Sequence, residues 1–182
     1  MAGDAICLVG LRGSGKSTVG AALARALGRP FLDLDRALED RAGRTLRELF
    51  ADPGEEAFRA LEAEVLREAL RLLPRAVLAT GGGVVLRPEN REALRAASVV
   101  WLHARPEVLA ARVAADPRSL QDRPALGPGG PLAEARRLLG EREPLYREVA
   151  QLVVDAEGSV EEVVAAIRSG LAAAAPTRRP AP

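Results

Sequence analysis

The sequence predicts an α/β fold in which helices cover both faces of a parallel β-sheet. Short apolar runs alternate with amphipathic helical segments along the chain of 182 residues, and this alternation is typical of βαβ units. The first apolar run leads into a glycine-rich turn at residues 10–17, Gly-Leu-Arg-Gly-Ser-Gly-Lys-Ser. That turn fits the G-x-x-x-x-G-K-[ST] pattern of a P-loop, which requires a strand before it and a helix after it.

Five apolar runs predict the strands, since each is short and bounded by glycine, proline or polar residues. They lie at residues 6–9, 31–35, 76–79, 98–102 and 152–154. Ligands of such sheets bind at the carboxyl ends of the strands. The P-loop, Asp33 with Asp35, and Gly81 to Gly83 each follow a strand, so we expect them to converge on one edge.

Helical periodicity fills the segments between these strands. The first helix follows the P-loop and ends at Gly28, because glycine is the usual residue after a helix. Two short helices are expected within residues 36–50, broken near Gly43, and the final helix opens with the capping box Ser159/Glu162. Further helices are predicted at residues 55–73, 88–97, 106–114, 132–149 and 160–171.

The chain is interpreted as one domain over residues 1–171, followed by a disordered tail at 172–182. Within the domain, residues 113–130 are rich in Asp, Pro, Arg and Gly, which favours a mobile lid over a site.

Composition excludes several classes of partner. The net charge is +1, from 26 basic and 25 acidic residues, which gives no reason to expect nucleic acid or membrane as a partner. No apolar run approaches the roughly 20 residues of a membrane span, and no secretory signal is recognisable. The single cysteine, Cys7, cannot form an internal disulfide. We therefore expect a cytoplasmic protein.

The P-loop motif carries the most specific chemistry. Backbone N–H groups around Gly13, Ser14 and Gly15 are expected to cradle phosphate oxygens. Lys16, the one lysine of the chain, reaches the β- and γ-phosphates, and the Ser17 hydroxyl is placed to bind Mg²⁺. A GTPase would usually need a second lysine in an N-K-x-D motif, so ATP is favoured. Arg12 is expected simply to be exposed.

Asp33 and Asp35 are predicted to point to one side of a strand end, because side chains two apart on a strand share a face. One carboxylate would hold the water ligands of Mg²⁺, and the other would orient or deprotonate an attacking hydroxyl. The alternative is that Asp35 caps the following helix.

Arg59 and Glu62 are three residues apart on the long helix, so they can pair and present a rigid guanidinium to a carboxylate. The alternative is a solvated ion pair. Gly81, Gly82 and Gly83 allow a ligand close to the backbone, or form an ordinary loop. Lys16, Mg²⁺ and a lid arginine would supply positive charge for phosphoryl transfer.

Together these residues resemble the shikimate kinase family over nearly the whole chain. The resemblance is carried by Gly13-Ser14-Gly15-Lys16-Ser17-Thr18, Asp33-x-Asp35, Phe58-Arg59-x-x-Glu62, Gly81-Gly82-Gly83, Arg123-Pro124 and Arg142-x-Pro144-x-Tyr146. It implies a nucleoside-monophosphate-kinase-like, three-layer P-loop fold with a five-stranded parallel sheet. It also implies a substrate-binding segment at about residues 34–62.

The resemblance further implies the reaction and the roles of its residues. The reaction is ATP- and Mg²⁺-dependent phosphorylation of the 3-hydroxyl of shikimate, in the pathway to chorismate and the aromatic amino acids. Separately, we expect the protein to be a monomer. Residues 13–18 would bind ATP, Ser17 would ligate Mg²⁺ and Asp33 would sit behind it. Asp35 would hold the acceptor hydroxyls and act as base. Arg59 and Arg142 would clamp the carboxylate, Gly82 would offer its backbone, and Arg123 would reach the phosphates.

Two departures from the family pattern stand out. The lid reads Arg123-Pro124-Ala125-Leu126 rather than Arg-Pro-Leu-Leu, and the loop after the last strand has no arginine to place beside the adenine. Two alternatives remain open. One is a gluconate kinase, which the paired aspartates and the Phe58–Glu62 segment disfavour, and the other is a nucleotide-binding module without catalysis.

Overall fold

The computed structural model describes residues 4–116 and 129–174, which form one parallel sheet with helices on both faces. The strands are β1 (Ile6–Val9), β2 (Phe31–Asp33), β3 (Val77–Ala79), β4 (Ser98–His103) and β5 (Leu152–Asp155). The helices are α1 (Lys16–Leu27), α2 (Leu34–Ala42), α3 (Leu46–Ala51), α4 (Glu55–Leu72), α5 (Pro88–Leu94), α6 (Pro106–Ala115), α7 (Gly130–Val149) and α8 (Val160–Ala174), with a 3₁₀ helix at Val84–Leu86. The predicted five-stranded parallel fold is confirmed.

The strand order is β2-β3-β1-β4-β5, and every pair is parallel. β1 is central, with Ile6 opposite Val77 of β3 on one side and Ser98 of β4 on the other. The chain therefore leaves β1 toward one half of the sheet and later returns to the other. The carboxyl end of β1 is the switch point at which such folds bind ligands.

Alternation along the strands divides the core into two clusters. Leu8 of β1 faces α1 and α8, where Leu23 and Ile167 are fully buried. Cys7 faces the other cluster, formed with α2 to α7, which contains Phe58, Leu66, Trp101 and Tyr146. Because both faces are covered, the strands read as continuous apolar runs.

Most predicted helix boundaries follow from their caps. Gly28 ends α1 and Gly43 ends α2, both in the left-handed conformation with φ near +60°. The Ser159/Glu162 capping box is present, with Ser159 N and Glu162 Oε2 2.8 Å apart.

The prediction that β2 continues to Asp35 is wrong. The strand ends at Asp33, and α2 begins at Leu34. The Asp33 carboxylate accepts hydrogen bonds from the backbone N–H of Asp35 at 3.1 Å and of Arg36 at 3.4 Å. The cap of this helix is therefore Asp33, not Asp35 as the alternative interpretation had it, and Asp35 lies in the first turn of α2.

Smaller differences occur at four other places. The helix predicted over 88–97 ends at Leu94. The apolar spacing of Phe58, Leu61, Val65 and Leu72 predicts that all four lie on the inner face of the long helix, but Leu72 is 54% exposed. α8 continues through Ala174, so residues 172–174 of the expected tail are helical. Of the expected lid, residues 113–115 end α6 and residue 130 begins α7, whereas residues 117–128, which include Arg123, lie outside the described part of the chain.

Within residues 4–116 and 129–174, every helix is too short or too polar to cross a bilayer.

Candidate functional site

The P-loop lies at the carboxyl end of β1 and turns directly into α1. Gly13 and Gly15 have φ near +85°, a conformation that lets consecutive backbone N–H groups turn inward. Ser14 is 1% exposed, and its backbone N–H is bonded to the Leu11 carbonyl at 3.2 Å. The loop therefore has the strand–turn–helix context of a phosphate cradle.

Lys16 folds its ammonium back into this loop. Nζ donates to the carbonyl oxygens of Gly10 and Leu11, both at 2.9 Å. The charge thus lies over the middle of the turn, where polyphosphate oxygens would sit.

A large cleft contains the P-loop and both predicted aspartates. It is lined by Lys16, Ser17 and Thr18 of α1, by Asp33 and Asp35, and by Arg36, Glu39 and Asp40 of α2. Ser17 and Asp33 offer a hydroxyl and a carboxylate, which are hard oxygen donors of the kind that Mg²⁺ prefers. Among the described residues, no group of three or more His, Cys, Asp or Glu is placed to hold a metal ion.

A second cavity adjoins this cleft and contains the predicted acid-binding arginines. It is lined by Arg59 of α4, by Gly82 and Gly83, and by Arg142 of α7, and its remaining wall is largely apolar, with Leu11, Phe50, Leu109, Val113 and Leu138. The structure therefore brings Arg59 and Arg142 together, as the sequence predicts. Arg12 and Gly82 line both cavities, so they mark the boundary between the two.

The glycine run after β3 is built for close contacts. A Cβ on Gly81 would lie 2.5 Å from Glu62 Oε1 and 2.9 Å from Asp35 Oδ1. A Cβ on Gly83 would overlap the guanidinium of Arg59. Side chains at these positions would displace Asp35, which lines the cleft, and Arg59, which lines the second cavity.

Arg59 is held firmly in the protein. Its Nη1 donates to Glu62 Oε2 at 2.8 Å and its Nη2 to Glu55 Oε1 at 3.3 Å. The guanidinium lies over the rings of Phe50 and Phe58, at 5.5 and 5.1 Å from the centroids. Both Arg59 and Glu62 are buried, at 7% and 4% exposure. The alternative of a solvated ion pair is therefore wrong.

Arg142 is positioned by a backbone carbonyl. Its Nη1 donates to Gly82 O at 3.1 Å, and the hydroxyl of Tyr146, one turn further along α7, donates to the same oxygen at 2.5 Å. The Nε atoms of Arg59 and Arg142 are both buried with no hydrogen-bond partner. Arg59 and Arg142 both line the same cavity, and two guanidinium groups beside one largely apolar cavity fit an anionic ligand such as a carboxylate.

Three features of the site were not predicted. Arg12 is half-buried with its Nη2 atom enclosed, rather than simply exposed. Arg112 of α6 donates to the carbonyls of Ala156 and Glu157 at 2.8 and 3.2 Å, and reaches Gly13 O at 3.5 Å. It thereby joins the P-loop to the loop after β5. Nothing in the sequence separates these arginines from the other 23.

Tyr146 is the third of these features. It appears in the Arg142-x-Pro144-x-Tyr146 motif, but that pattern gives it no role. Trp101 packs against its ring, as expected of a core tryptophan, and His103 lies edge-on to Trp101.

Comparison with known proteins gives consistent matches. The family model described as shikimate kinase matches residues 12–172. A shikimate kinase of Paracidovorax citrulli is 51% identical over 154 residues, covering 84% of this chain and 82% of the relative. One of Symbiobacterium thermophilum is 48% identical, covering 91% and 95%.

Solved structures agree with the sequence comparison. The shikimate kinase of Acinetobacter baumannii in complex with shikimate has a TM-score of 0.86 at 38% identity, covering 93% of each chain. A gluconokinase from Sinorhizobium meliloti has a TM-score of 0.59 at 25% identity, covering 93% of this chain and 92% of its own.

Proposed function

The chain belongs to the shikimate kinase family, and we propose that its two adjoining cavities hold the two substrates of that family's reaction. The protein transfers the γ-phosphate of ATP to the 3-hydroxyl of shikimate, which gives ADP and shikimate 3-phosphate on the route to chorismate and the aromatic amino acids. The observation that carries the proposal is the glycine run. It packs against Asp35 at one end and Arg59 at the other, and Gly82 lines both cavities.

ATP would occupy the cleft over the P-loop. The backbone from Gly13 to Ser17 and the amino end of α1 would bind the β- and γ-phosphates. Thr18 lines the same cleft, and Lys16 would turn from its carbonyl partners toward the phosphate oxygens. Arg123, outside the described residues, is proposed to approach from the lid.

Shikimate kinases use ATP with Mg²⁺, and the residues here fit the ion. We assign Ser17 as a direct ligand and Asp33 as a contact through water. The ion, when bound, would offset the negative charge of the terminal phosphates. Asp33 has one oxygen engaged as the cap of α2, so its second oxygen would face the water.

Shikimate would occupy the second cavity. Its carboxylate would pair with the guanidinium groups of Arg59 and Arg142, which both line this cavity. Its hydroxyls would then point toward Gly82 and Asp35, at the boundary with the nucleotide cleft. Asp35 would orient the 3-hydroxyl and accept its proton while the phosphoryl group moves in line.

We further propose that the protein acts as a cytoplasmic monomer without a nucleic-acid or membrane partner. The nearly neutral net charge gives no long-range attraction to polyanions. Among the described residues, the large hydrophobic side chains that are exposed are Leu72, Leu132 and Val153, and single exposed apolar residues do not require a partner.

A coupled ADP-release assay with shikimate, with gluconate and with no acceptor tests this function. We expect release of ADP to depend on shikimate. Equal or faster release with gluconate would favour a gluconate kinase. Release that no acceptor stimulates, with retained ATP binding, would favour a nucleotide-binding module.

A further inference from the structure

We infer that Tyr146 is a positioning residue for the acceptor acid, because it fixes the Gly82 carbonyl on which Arg142 is oriented. This inference rests on the proposed function and extends it to a side chain that touches neither substrate.

The first step is the geometry of a shared acceptor. Gly82 O receives a hydrogen bond from Tyr146 Oη at 2.5 Å and from Arg142 Nη1 at 3.1 Å. A carbonyl oxygen has two lone pairs, so the two donors fill it. Since Tyr146 and Arg142 are four residues apart on α7, they lie on one face of the helix. The carbonyl therefore ties one face of α7 to the glycine run.

The second step is the rigidity of Tyr146. The side chain is fully buried, and its ring stacks on Trp101 of β4 with centroids 5.6 Å apart and planes at 24°. Burial raises the pKa of the Tyr146 hydroxyl above its ordinary value, so the group stays a donor at neutral pH. Because the ring is buried and stacked, it has little freedom to move. The hydroxyl therefore holds Gly82 O at a fixed distance from the sheet.

The third step links this contact to the acid. Arg142 Nη1 is bonded to Gly82 O, and the residue lines the acid cavity. The orientation of the whole guanidinium follows from where Nη1 is anchored, because the group is planar and rigid. Losing the Tyr146 hydroxyl would leave the anchor with one donor and let the guanidinium tilt.

Tyr146→Phe tests this, since it removes one hydroxyl and keeps the ring on Trp101. We expect the Kd and KM for shikimate to rise about fivefold, the scale of one buried hydrogen bond, while kcat and the KM for ATP stay within about twofold. An unchanged affinity for shikimate would overturn the inference. Failure of the unsubstituted protein to bind or phosphorylate shikimate would instead overturn the proposed function.

Asn90→Ala is the matched control for loosening of the loop. Asn90 is buried, and its Nδ2 donates to Val84 O at 2.9 Å, just beyond the glycine run, rather than to Gly82. We expect this variant to melt at a lower temperature with an unchanged Kd for shikimate. If it weakened shikimate binding as much as Tyr146→Phe, the role of Tyr146 would be only structural.

A double-substitution cycle with Arg142→Lys tests whether Tyr146 acts through Arg142. If it does, Tyr146→Phe adds less than about twofold to the Kd once the guanidinium is gone. Multiplicative effects of the two substitutions would show that Tyr146 acts independently of Arg142, and would overturn the inference. The Kd values are measured by titration calorimetry with shikimate.

Discussion

Asp35 lies beside Gly81 in the first turn of α2, and Glu62 approaches the same glycine. The backbone N–H of Asp35 is bonded to the capping carboxylate of Asp33. The start of the helix therefore fixes where the Asp35 carboxylate stands, at the mouth of the nucleotide cleft. The role proposed for Asp35 depends on this placement rather than on the strand alternation expected from the sequence.

Asp35→Asn should abolish most turnover while ATP binding survives. The amide keeps the shape of the side chain but cannot accept the proton of the attacking hydroxyl, and loss of such a group costs about 10²- to 10⁴-fold in kcat. Steady-state kinetics with shikimate, together with calorimetry of ATP binding, measure the two effects. Retention of full kcat would remove Asp35 from the mechanism.

Arg59→Ala and Arg59→Lys should both raise the KM for shikimate, by at least about tenfold, the scale of a hydrogen bond to a charged group. The lysine variant should not restore binding, because an ammonium cannot reproduce the fork held by Glu62 and Glu55. The KM for ATP is the internal control. A KM for shikimate unchanged in both variants would contradict the proposed clamp.

Helices α1 and α7 each contain a glycine, one buried and one exposed. Replacing each by alanine should therefore change the stability of the protein in opposite directions. Gly20 of α1 is buried, and a Cβ there would lie 2.6 Å from the ring of Phe31 and 3.3 Å from Leu8. Gly140 of α7 is exposed, and a Cβ there would have no heavy atom of another element within 4 Å. α1 thus packs on the sheet at a distance that only glycine permits.

Gly20→Ala should therefore destabilise the protein, although alanine is the better helix former. Overpacking costs about 1–3 kcal/mol, against a gain of about 0.5–1 kcal/mol from the helix backbone. Gly140→Ala should stabilise by about 0.5–1 kcal/mol, since it brings the gain alone. Urea unfolding of both variants measures the difference, and the same sign for both would refute the packing argument.

Glu157 links the loop after β5 to the beginning of α6. Its carboxylate receives hydrogen bonds from the Arg105 side chain at 2.7 to 3.0 Å and from the Arg105 backbone N–H at 2.8 Å. These bonds lower the pKa of Glu157 from 4.5 to about 2. Because the pKa of Glu157 is lower in the folded than in the unfolded protein, its ionised carboxylate stabilises the fold above pH 4.5. This stabilisation is lost as the pH falls toward 2.

Glu157→Gln should consequently melt below the unsubstituted protein at neutral pH, with a gap that closes between pH 4.5 and 2. Melting temperatures of both proteins across this range measure the gap, and added salt should shrink it. A gap that stays constant down to pH 2 would show that the pair does not titrate as described.

The order and type of the elements could be predicted from the sequence because apolar spacing and caps are local signals. The end of β2 could not be, since Asp33-Leu34-Asp35 fits both an alternating strand and a helix cap, and the choice depends on which backbone N–H groups Asp33 reaches. The P-loop and Arg59 were recognisable from spacing. The burial of Arg12 and the contact of Tyr146 with Gly82 were not, because they arise from elements brought together only by the fold.

At the scale of the whole molecule, residues from both halves of the chain meet at the carboxyl ends of the strands. β1 and the P-loop come from the first half of the chain, and α7, which carries Arg142, comes from the second half. The glycine run after β3 lies between them. We therefore propose that ATP and shikimate are bound by different parts of one chain, without a contribution from a second subunit.

Light scattering coupled to size exclusion should accordingly give a mass near 19.2 kDa at micromolar concentrations, because the described ranges expose few large hydrophobic side chains. A stable species of twice that mass would contradict the monomer.

The conformation of the Lys16 side chain has a consequence for the affinity of nucleotide binding. Its ammonium has two carbonyl partners inside the loop, Gly10 and Leu11. When a polyphosphate binds, Lys16 exchanges these carbonyl oxygens for phosphate oxygens. The net gain in binding free energy is therefore smaller than the charge attraction alone suggests.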